Sequence, residues 1–412
     1  MSQPAVVKPQ MAAIKTPAYA WVVLFAVYLA TLAAPLNQMK VPPVMSILIK
    51  TFGLDYGSAG MLMSIFSIMG FVLAIPAGFI MGRFGIKATG LIAVGATVIG
   101  AGIGALSNDA NLLFAGRFVE GIGMGLIMVA APSAISLWFP AEKRGLPMGL
   151  WASSVGVGSI AALNLAPALA QAHSWRAVWW VGTGLAALAF VLFALLFRLP
   201  RQNELGGSAS QTSAPEEGGK PAPVSLTKAM GNFSLWMIAI TFGCFNLTVM
   251  AWNTFYPDFL ETQRNFSPAY ASFVTSLLMM IAIFSGPAGG YISDRIGSRK
   301  SVIIVPFIVL TVLFFLPFNI TGWTIPALMI LAGVVVGPVA PVCLAAVPEV
   351  MKSPQTIGIG LGVAAFCQNL GMFIGPALFG QLVEVTGFAM AGYLMVPICI
   401  AAIICTWLAK IR

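Results

Sequence analysis

Long apolar runs separated by short polar breaks fill the chain, and each run has the length that crosses a bilayer. A helix spanning a hydrocarbon core of about 30 Å needs about 20 mainly apolar residues. Twelve runs meet that requirement, at about 18–41, 58–81, 88–107, 111–136, 147–170, 176–198, 232–256, 270–292, 301–318, 323–346, 357–382 and 388–409. They are continuous rather than alternating, which disfavours a transmembrane β-barrel. The pattern predicts an all-α membrane protein with 12 transmembrane helices. One long polar stretch, 199–231, carries Gly206, Gly207, Ser208, Ser210, Glu216, Glu217, Gly218 and Gly219 and divides the runs six and six. Its composition is that of a flexible linker. The expected organisation is a cytoplasmic tail (1–17), an N-terminal six-helix bundle (18–198), a cytoplasmic linker (199–231) and a C-terminal six-helix bundle (232–412).

Composition narrows the class further. Charged residues make up 8% of the 412 residues, and mean hydropathy is +0.94. A soluble domain carries roughly 25% charged residues, so a soluble enzyme, a nucleic-acid binder, a disordered tail and a secreted disulfide scaffold are all excluded. The net charge of +9 is explained by where the basic residues fall. With the N-terminus inside, sixteen Lys and Arg lie in cytoplasmic segments, against three (Lys50, Arg176, Arg264) in outside loops. That asymmetry obeys the positive-inside rule. It predicts a multi-pass protein of a bacterial-type inner membrane with both termini cytoplasmic. The start of the chain shows no signal-peptide cleavage pattern, so the first apolar run is expected to be retained as a span. The five cysteines (Cys244, Cys343, Cys367, Cys399, Cys405) sit in apolar stretches, where they read as small buried hydrophobes rather than disulfides or metal ligands. Glycine runs such as Gly121, Gly123, Gly125 and Gly358, Gly360, Gly362 lie inside spans and suit close helix packing. They lack the Lys-Ser/Thr ending of a phosphate loop, so no cofactor and no nucleotide drive are expected.

A repeat appears at an offset of about 212 residues. Gly78-Phe-Ile-Met-Gly82-Arg83-Phe-Gly85-Ile-Lys87 aligns with Gly290-Tyr-Ile-Ser-Asp294-Arg295-Ile-Gly297-Ser-Arg299, and Gly121 and Gly125 align with Gly333 and Gly337. Two parallel six-helix halves are a transporter plan with the substrate site at the interface between them. Over essentially the whole chain these residues resemble the major facilitator superfamily. GYISDRIGSRK (290–300) is similar to that family's signature loop G-x-L-A-D-R-x-G-R-R, and Arg117-Phe-Val-Glu120-Gly121-Ile-Gly123 to its fourth-helix motif R-x-x-Q-G-x-G. The resemblance implies a cytoplasmic gate shaped by Gly78, Gly82, Arg83, Lys87, Gly290, Asp294, Arg295 and Arg299, and a chain that works as a monomer. Three departures stand out. Gly82 and Ile86 replace the loop's usual Asp and Arg, so the N-half lock is expected to be weak. The fifth span lacks the G-P-x-x-G-G run typical of drug/proton antiporters. Glu120 stands where Gln is common. More loosely, PLNQMKVPPVM (35–45) resembles the cyanate/nitroimidazole porter subgroup.

Ionisable side chains inside spans are costly and are functional candidates by default. Lys40 sits three residues after Asn37 and near Gln38, just before Pro42 and Pro43, and a Pro-interrupted span at a repeat interface points to a binding site. An ammonium there would draw an anion. The plainer alternative is that Lys40 snorkels to the outer interface. Arg117 and Glu120, three apart, can pair on one helix face, either as a structural ion pair or with Glu120 as a proton-coupling group. In the C-half, Asn246, Trp252, Asn253 and Tyr256 near the end of the seventh span can line a small-ligand site, and so can the adjacent amides Gln368 and Asn369. The lone His173 reads as a surface residue.

The function expected is a secondary active transporter of a small solute, carboxylate-like or cyanate-like, working by alternating access with a proton as the candidate coupling ion. Its partners are an anionic small molecule and the lipid bilayer, with no nucleic acid. The rival readings are a proton-driven multidrug exporter and, from another class, a non-transporting membrane sensor. No nucleophile, base and metal cluster converges to suggest an enzyme.

Overall fold

A computed structural model describes residues 17–73, 76–140, 143–201, 230–351 and 354–411. The tail 1–16 and linker residues 202–229 lie outside the described residues. Among the described residues the chain is helical, with helix at each of the twelve predicted spans and ten stretches long and apolar enough to cross a membrane.

Several boundaries differ from those predicted, each for a local reason. The first span does not stop at residue 41. Helix Tyr19–Met39 breaks into a 3₁₀ turn, Pro42–Val44, and resumes as Met45–Phe52. Pro42 and Pro43 have no N–H to offer the carbonyls of Gln38 and Met39, so the helix cannot run through them. The seventh span, Phe233–Thr262, runs six residues past its expected end because Pro257 is absorbed inside the helix. The second and third spans share one continuous helical stretch, Pro76–Ala105, interrupted only at Gly85 (φ 80°, ψ 165°). Gly297, its repeat partner, caps helix Pro268–Ile296 at φ 69°. Both positions need a left-handed backbone that favours glycine, which accounts for the repeated glycine of the signature loop. The tenth span is split into Thr324–Val336 and Val339–Met351, and the eleventh runs within Pro354–Tyr393 before the twelfth ends at Leu408. Asp55, in the loop before Tyr56–Leu73, accepts the Ser58 N–H at 2.6 Å. That bond holds its carboxyl below the usual carboxylate range.

Packing within the N-half depends on glycine. Gly121 lies against the Phe66 carbonyl, Gly123 against Thr97 and Gly125 against the Met69 carbonyl, as the sequence suggests for that run. The second run behaves differently. Gly360 packs on Val347 and Met351, but Gly358 and Gly362 face open space, so they bring no helices together.

The halves meet along the first and seventh, second and eleventh, and fifth and eighth spans. Four hydrogen bonds crossing this interface lie toward the face opposite the termini or in the membrane middle. Ser46 Oγ donates to Glu261 Oε1 at 3.0 Å, and the Tyr56 N–H to Glu384 Oε2 at 3.0 Å. Asn164 Nδ2 donates to Ser276 Oγ at 3.1 Å, and the Ala377 N–H to Ser64 Oγ at 3.1 Å. Tyr56 also packs edge-on to Phe388, ring centroids 5.4 Å apart. On the terminal face the signature loops have room. A Cβ built on Gly78, Gly82 or Gly290 meets nothing within 4 Å. The far face is therefore clasped and the terminal face is not clasped at these loops.

Gly100 tests the packing argument, because a Cβ there would sit 2.5 Å from the Glu120 nitrogen and 2.6 Å from the Gly116 carbonyl oxygen. Overpacking costs about 1–3 kcal/mol where side chains can adjust, and here backbone is struck. Gly100→Leu is expected to lower the melting temperature in detergent or prevent assembly. Gly184→Leu, with nothing within 4 Å, should leave the melting temperature within error of the parent. Equal effects would contradict this account of packing.

Candidate functional site

The broken first span creates the site. Where helix Tyr19–Met39 ends, the carbonyls of Asn37 and Gln38 need donors, and a helix C-terminus favours positive charge. Arg117 from the fourth span supplies both. Its Nη1 donates to the Asn37 carbonyl at 2.7 Å and its Nη2 to the Gln38 carbonyl at 3.3 Å, while Nε donates to the Leu62 carbonyl of the second span at 3.0 Å. The guanidinium lies over the Phe66 ring, 4.6 Å from its centroid. The same Nη1 meets Glu120 Oε2 at 2.5 Å.

Lys40 completes the cluster. Its ammonium contacts Glu120 Oε1 at 2.6 Å and Asn37 Oδ1 at 2.8 Å, and lies 4.6 Å from the centroid of Trp179 in the sixth span. The Lys40 side chain is 1% exposed, and those of Arg117 and Glu120 are 0% exposed. Lys40 therefore does not snorkel to an interface. Asn37 is held between Lys40 and the Gly182 carbonyl, which its Nδ2 approaches at 3.4 Å. Gln38 Nε2 reaches Ser67 Oγ at 3.5 Å. Two cations share one carboxylate, so the buried cluster carries a surplus of one positive charge.

The structure thus gathers Asn37, Gln38, Lys40, Arg117 and Glu120 but keeps the C-half candidates apart from them. Trp252 and Tyr256 are buried within the C-half. Trp252 packs on Phe314 at 5.3 Å, and the Tyr256 hydroxyl donates to the Pro317 carbonyl at 3.2 Å. Asn253 is buried, with Nδ2 on the Val249 carbonyl at 2.9 Å and Oδ1 without a partner. Asn246 is half-buried and bonds the Phe242 carbonyl at 2.8 Å. Asn369 packs over Gly70 of the opposite half, and Gln368 is half-buried beside it.

In the signature loops, Arg299 bonds Glu349 and also reaches Asp294 at 3.3 Å, which ties the ninth span to the tenth inside one half. Arg295 is exposed, Arg83 lies 5.8 Å from the Phe84 ring centroid, and Lys87 is half-buried.

Sequence reasoning missed one contact and one residue of this site, and one buried acid outside it. The Lys40–Glu120 contact joins residues 80 apart. Its signal is charge balance, since one acid is available near two cations. Trp179 carries no signal beyond its place in an apolar span. Asp258, 2% exposed in the seventh span, was hidden by the expectation that this span ends at 256.

Two six-span bundles, one of them holding a buried charged centre, are the architecture of a polytopic membrane transporter. The profile of the Major Facilitator Superfamily matches residues 27–267 and 238–412, and the chain belongs to that family. It is similar to the hexuronate transporter of Bacillus subtilis (strain 168), 24% identical over 363 residues covering 84% of each chain. It is also similar to the nitrite extrusion protein of the same organism, 25% identical over 352 residues, covering 83% of this chain and 82% of that one. The fold is shared with the crystal structure of a bacterial homolog to the human lysosomal transporter Spinster, in an inward-facing and occupied conformation. That match has a TM-score of 0.80 and 16% identity, over 96% of this chain and 98% of the other.

Charge balance in the cluster makes a testable ordering. Lys40→Met leaves the Arg117–Glu120 pair neutral, so its effect on stability is expected to stay below about 1 kcal/mol. Glu120→Gln strands two buried cations and is expected to cost about 3–5 kcal/mol, the scale for breaking a buried pair. Thermal melts of both variants in one detergent check the order. A Lys40→Met protein less stable than Glu120→Gln would contradict the assignment.

Proposed function

We propose that the chain is a secondary active transporter that carries a small anion across the membrane by alternating access, with Lys40 as the anion anchor. The observation that carries this reading is the surplus positive charge of the Lys40–Arg117–Glu120 cluster, held fully out of water. An unbalanced buried charge is costly, and binding an anion removes the imbalance. Similarity to carriers named for hexuronate and nitrite supports the anion class.

Glu120 acts in this scheme as a resident anion. Its carboxylate occupies the place beside Lys40 that a substrate carboxylate or oxyanion would take. A proton on Glu120 frees Lys40 and Arg117 together, so protonation strengthens anion binding and the two ligands travel in the same direction. Asn37 and Gln38 orient the anion beside Lys40. Asn246, Trp252, Asn253, Tyr256, Gln368 and Asn369 form the C-half wall when the halves rock. The terminal face is cytoplasmic, in keeping with the basic residues on that side. Gly82 leaves that face without an N-half acid to lock it, and Asp294 pairs with Arg299 inside the C-half rather than across the halves.

A thermal-shift panel of sugar acids, monocarboxylates, dicarboxylates, nitrite, nitrate, cyanate and lipophilic cations tests the anion reading, since ligands that bind only the folded state raise its melting temperature. One anion class is expected to stabilise the protein, more strongly at lower pH, and to lose that effect in Lys40→Met. Stabilisation by lipophilic cations alone, unchanged in Lys40→Met, would replace this reading with drug export. The loop argument has its own check. Gly82→Asp meets no steric obstacle and should reduce labelling of terminal-face cysteine reporters while raising far-face labelling. Unchanged labelling on both faces would remove Gly82 from gating.

A further inference from the structure

Asp258 is a buried acid that the anion site does not use. It is 2% exposed, and neither carboxylate oxygen has a hydrogen-bond partner. The chain has four aspartates, and the other three, Asp55, Asp109 and Asp294, are exposed. Asp258 lies in the far-face clasp, one helical turn before Glu261, which accepts the Ser46 hydroxyl across the two halves.

The groups facing it come from both halves. The Tyr56 hydroxyl of the second span faces Asp258 and Thr262, and it is the one donor turned toward the acid, outside good hydrogen-bond geometry. Lys50, on the helix after the break, is the nearby cation, and it is solvent-exposed, while Glu261 opposes it with like charge. Glu384 of the eleventh span acts on Tyr56 from the other side. Glu120 offers the contrast. It is equally buried, but two cations lie within 2.6 Å of its oxygens, so its charge is compensated. A carboxylate with one loosely placed hydroxyl and no contacting cation is costly to bury as an ion and accommodated when neutral.

From this geometry we propose that Asp258 binds a proton when the far face closes and releases it to far-face water when the face opens. The seal between the halves is thereby a proton-binding site separate from Glu120. Opening parts Tyr56 and Lys50 of one half from Asp258 of the other and lets water solvate the carboxylate. Because the closed state holds the additional proton, closure is favoured at low pH and lost as pH rises, by up to tenfold in the closed-to-open ratio per pH unit. The inference rests on alternating access but not on the anion reading, and its test needs no substrate.

Spin labels at Thr51→Cys and Gln263→Cys, in a background with the five native cysteines replaced, report the far-face distance in lipid nanodiscs across a pH series. Both sites are exposed, one in each half. The short distance is expected to lose population as pH rises. Asp258→Asn should hold it at every pH. A wild-type distance indifferent to pH, or an Asp258→Asn profile that still follows pH, overturns the proposal. A second measurement uses the native sequence carrying isotope-labelled aspartate. Infrared difference spectra should show a protonated aspartic acid band that disappears as the long distance appears, and its absence overturns the proposal independently of how the variants fold.

Discussion

The contact of one carboxylate with two cations organises the N-half. Glu120 holds Lys40 and Arg117 together, and Arg117 in turn bonds the Asn37 and Gln38 carbonyls at the broken end of the first helix. Without Arg117 those carbonyls would be unpaired at membrane depth, where no water can serve them. Without Glu120 two buried cations would repel each other at close range. Without the break, Lys40 would not sit at the negative end of a helix. The irregular backbone and the buried charges each make the other tolerable, which is why they occur at the same place.

The other half answers this arrangement with aromatic rings. At the repeat offset of 212, Lys40 corresponds to Trp252, Arg117 to Met329 and Glu120 to Ala332. Trp252 packs among Tyr256 and Phe314 with its indole N–H unpaired. The fold is pseudo-symmetric but its chemistry is not. The buried cations lie in the N-half, while the C-half offers aromatic rings, amides and, in Asp258, a buried acid with no contacting cation. On the proposed reading, anion capture and far-face closure respond to different acids.

Much of the fold was legible in the sequence because bilayer crossing imposes a length and a hydrophobicity that no packing detail can override. Twelve spans, the repeat and the signature loops followed from that. Span ends were less legible, since prolines act in opposite ways. Pro42 and Pro43 break the first span, where Arg117 stands ready to serve the freed carbonyls, whereas Pro257 is carried inside the seventh. That single misjudged end concealed Asp258. The Arg117–Glu120 pair was visible as a three-residue spacing. Lys40 and Asn37 were visible as neighbours on a helix. The bond from Lys40 to Glu120 was not, because it depends on how the first span approaches the fourth. Glycine runs also differed in meaning: Gly121, Gly123 and Gly125 face neighbouring helices, while Gly358 and Gly362 face open space.

The central claim is that a substrate anion and the Glu120 carboxylate compete for the same cation. It is tested most directly by counting protons when an anion binds. Calorimetry of the stabilising anion, repeated in buffers of different ionisation enthalpy, gives that number for the parent protein and for Glu120→Gln. The account predicts net proton uptake on binding by the parent, disappearing in Glu120→Gln while anion binding persists. Anion binding without proton uptake, or uptake of equal size in the variant, would contradict it.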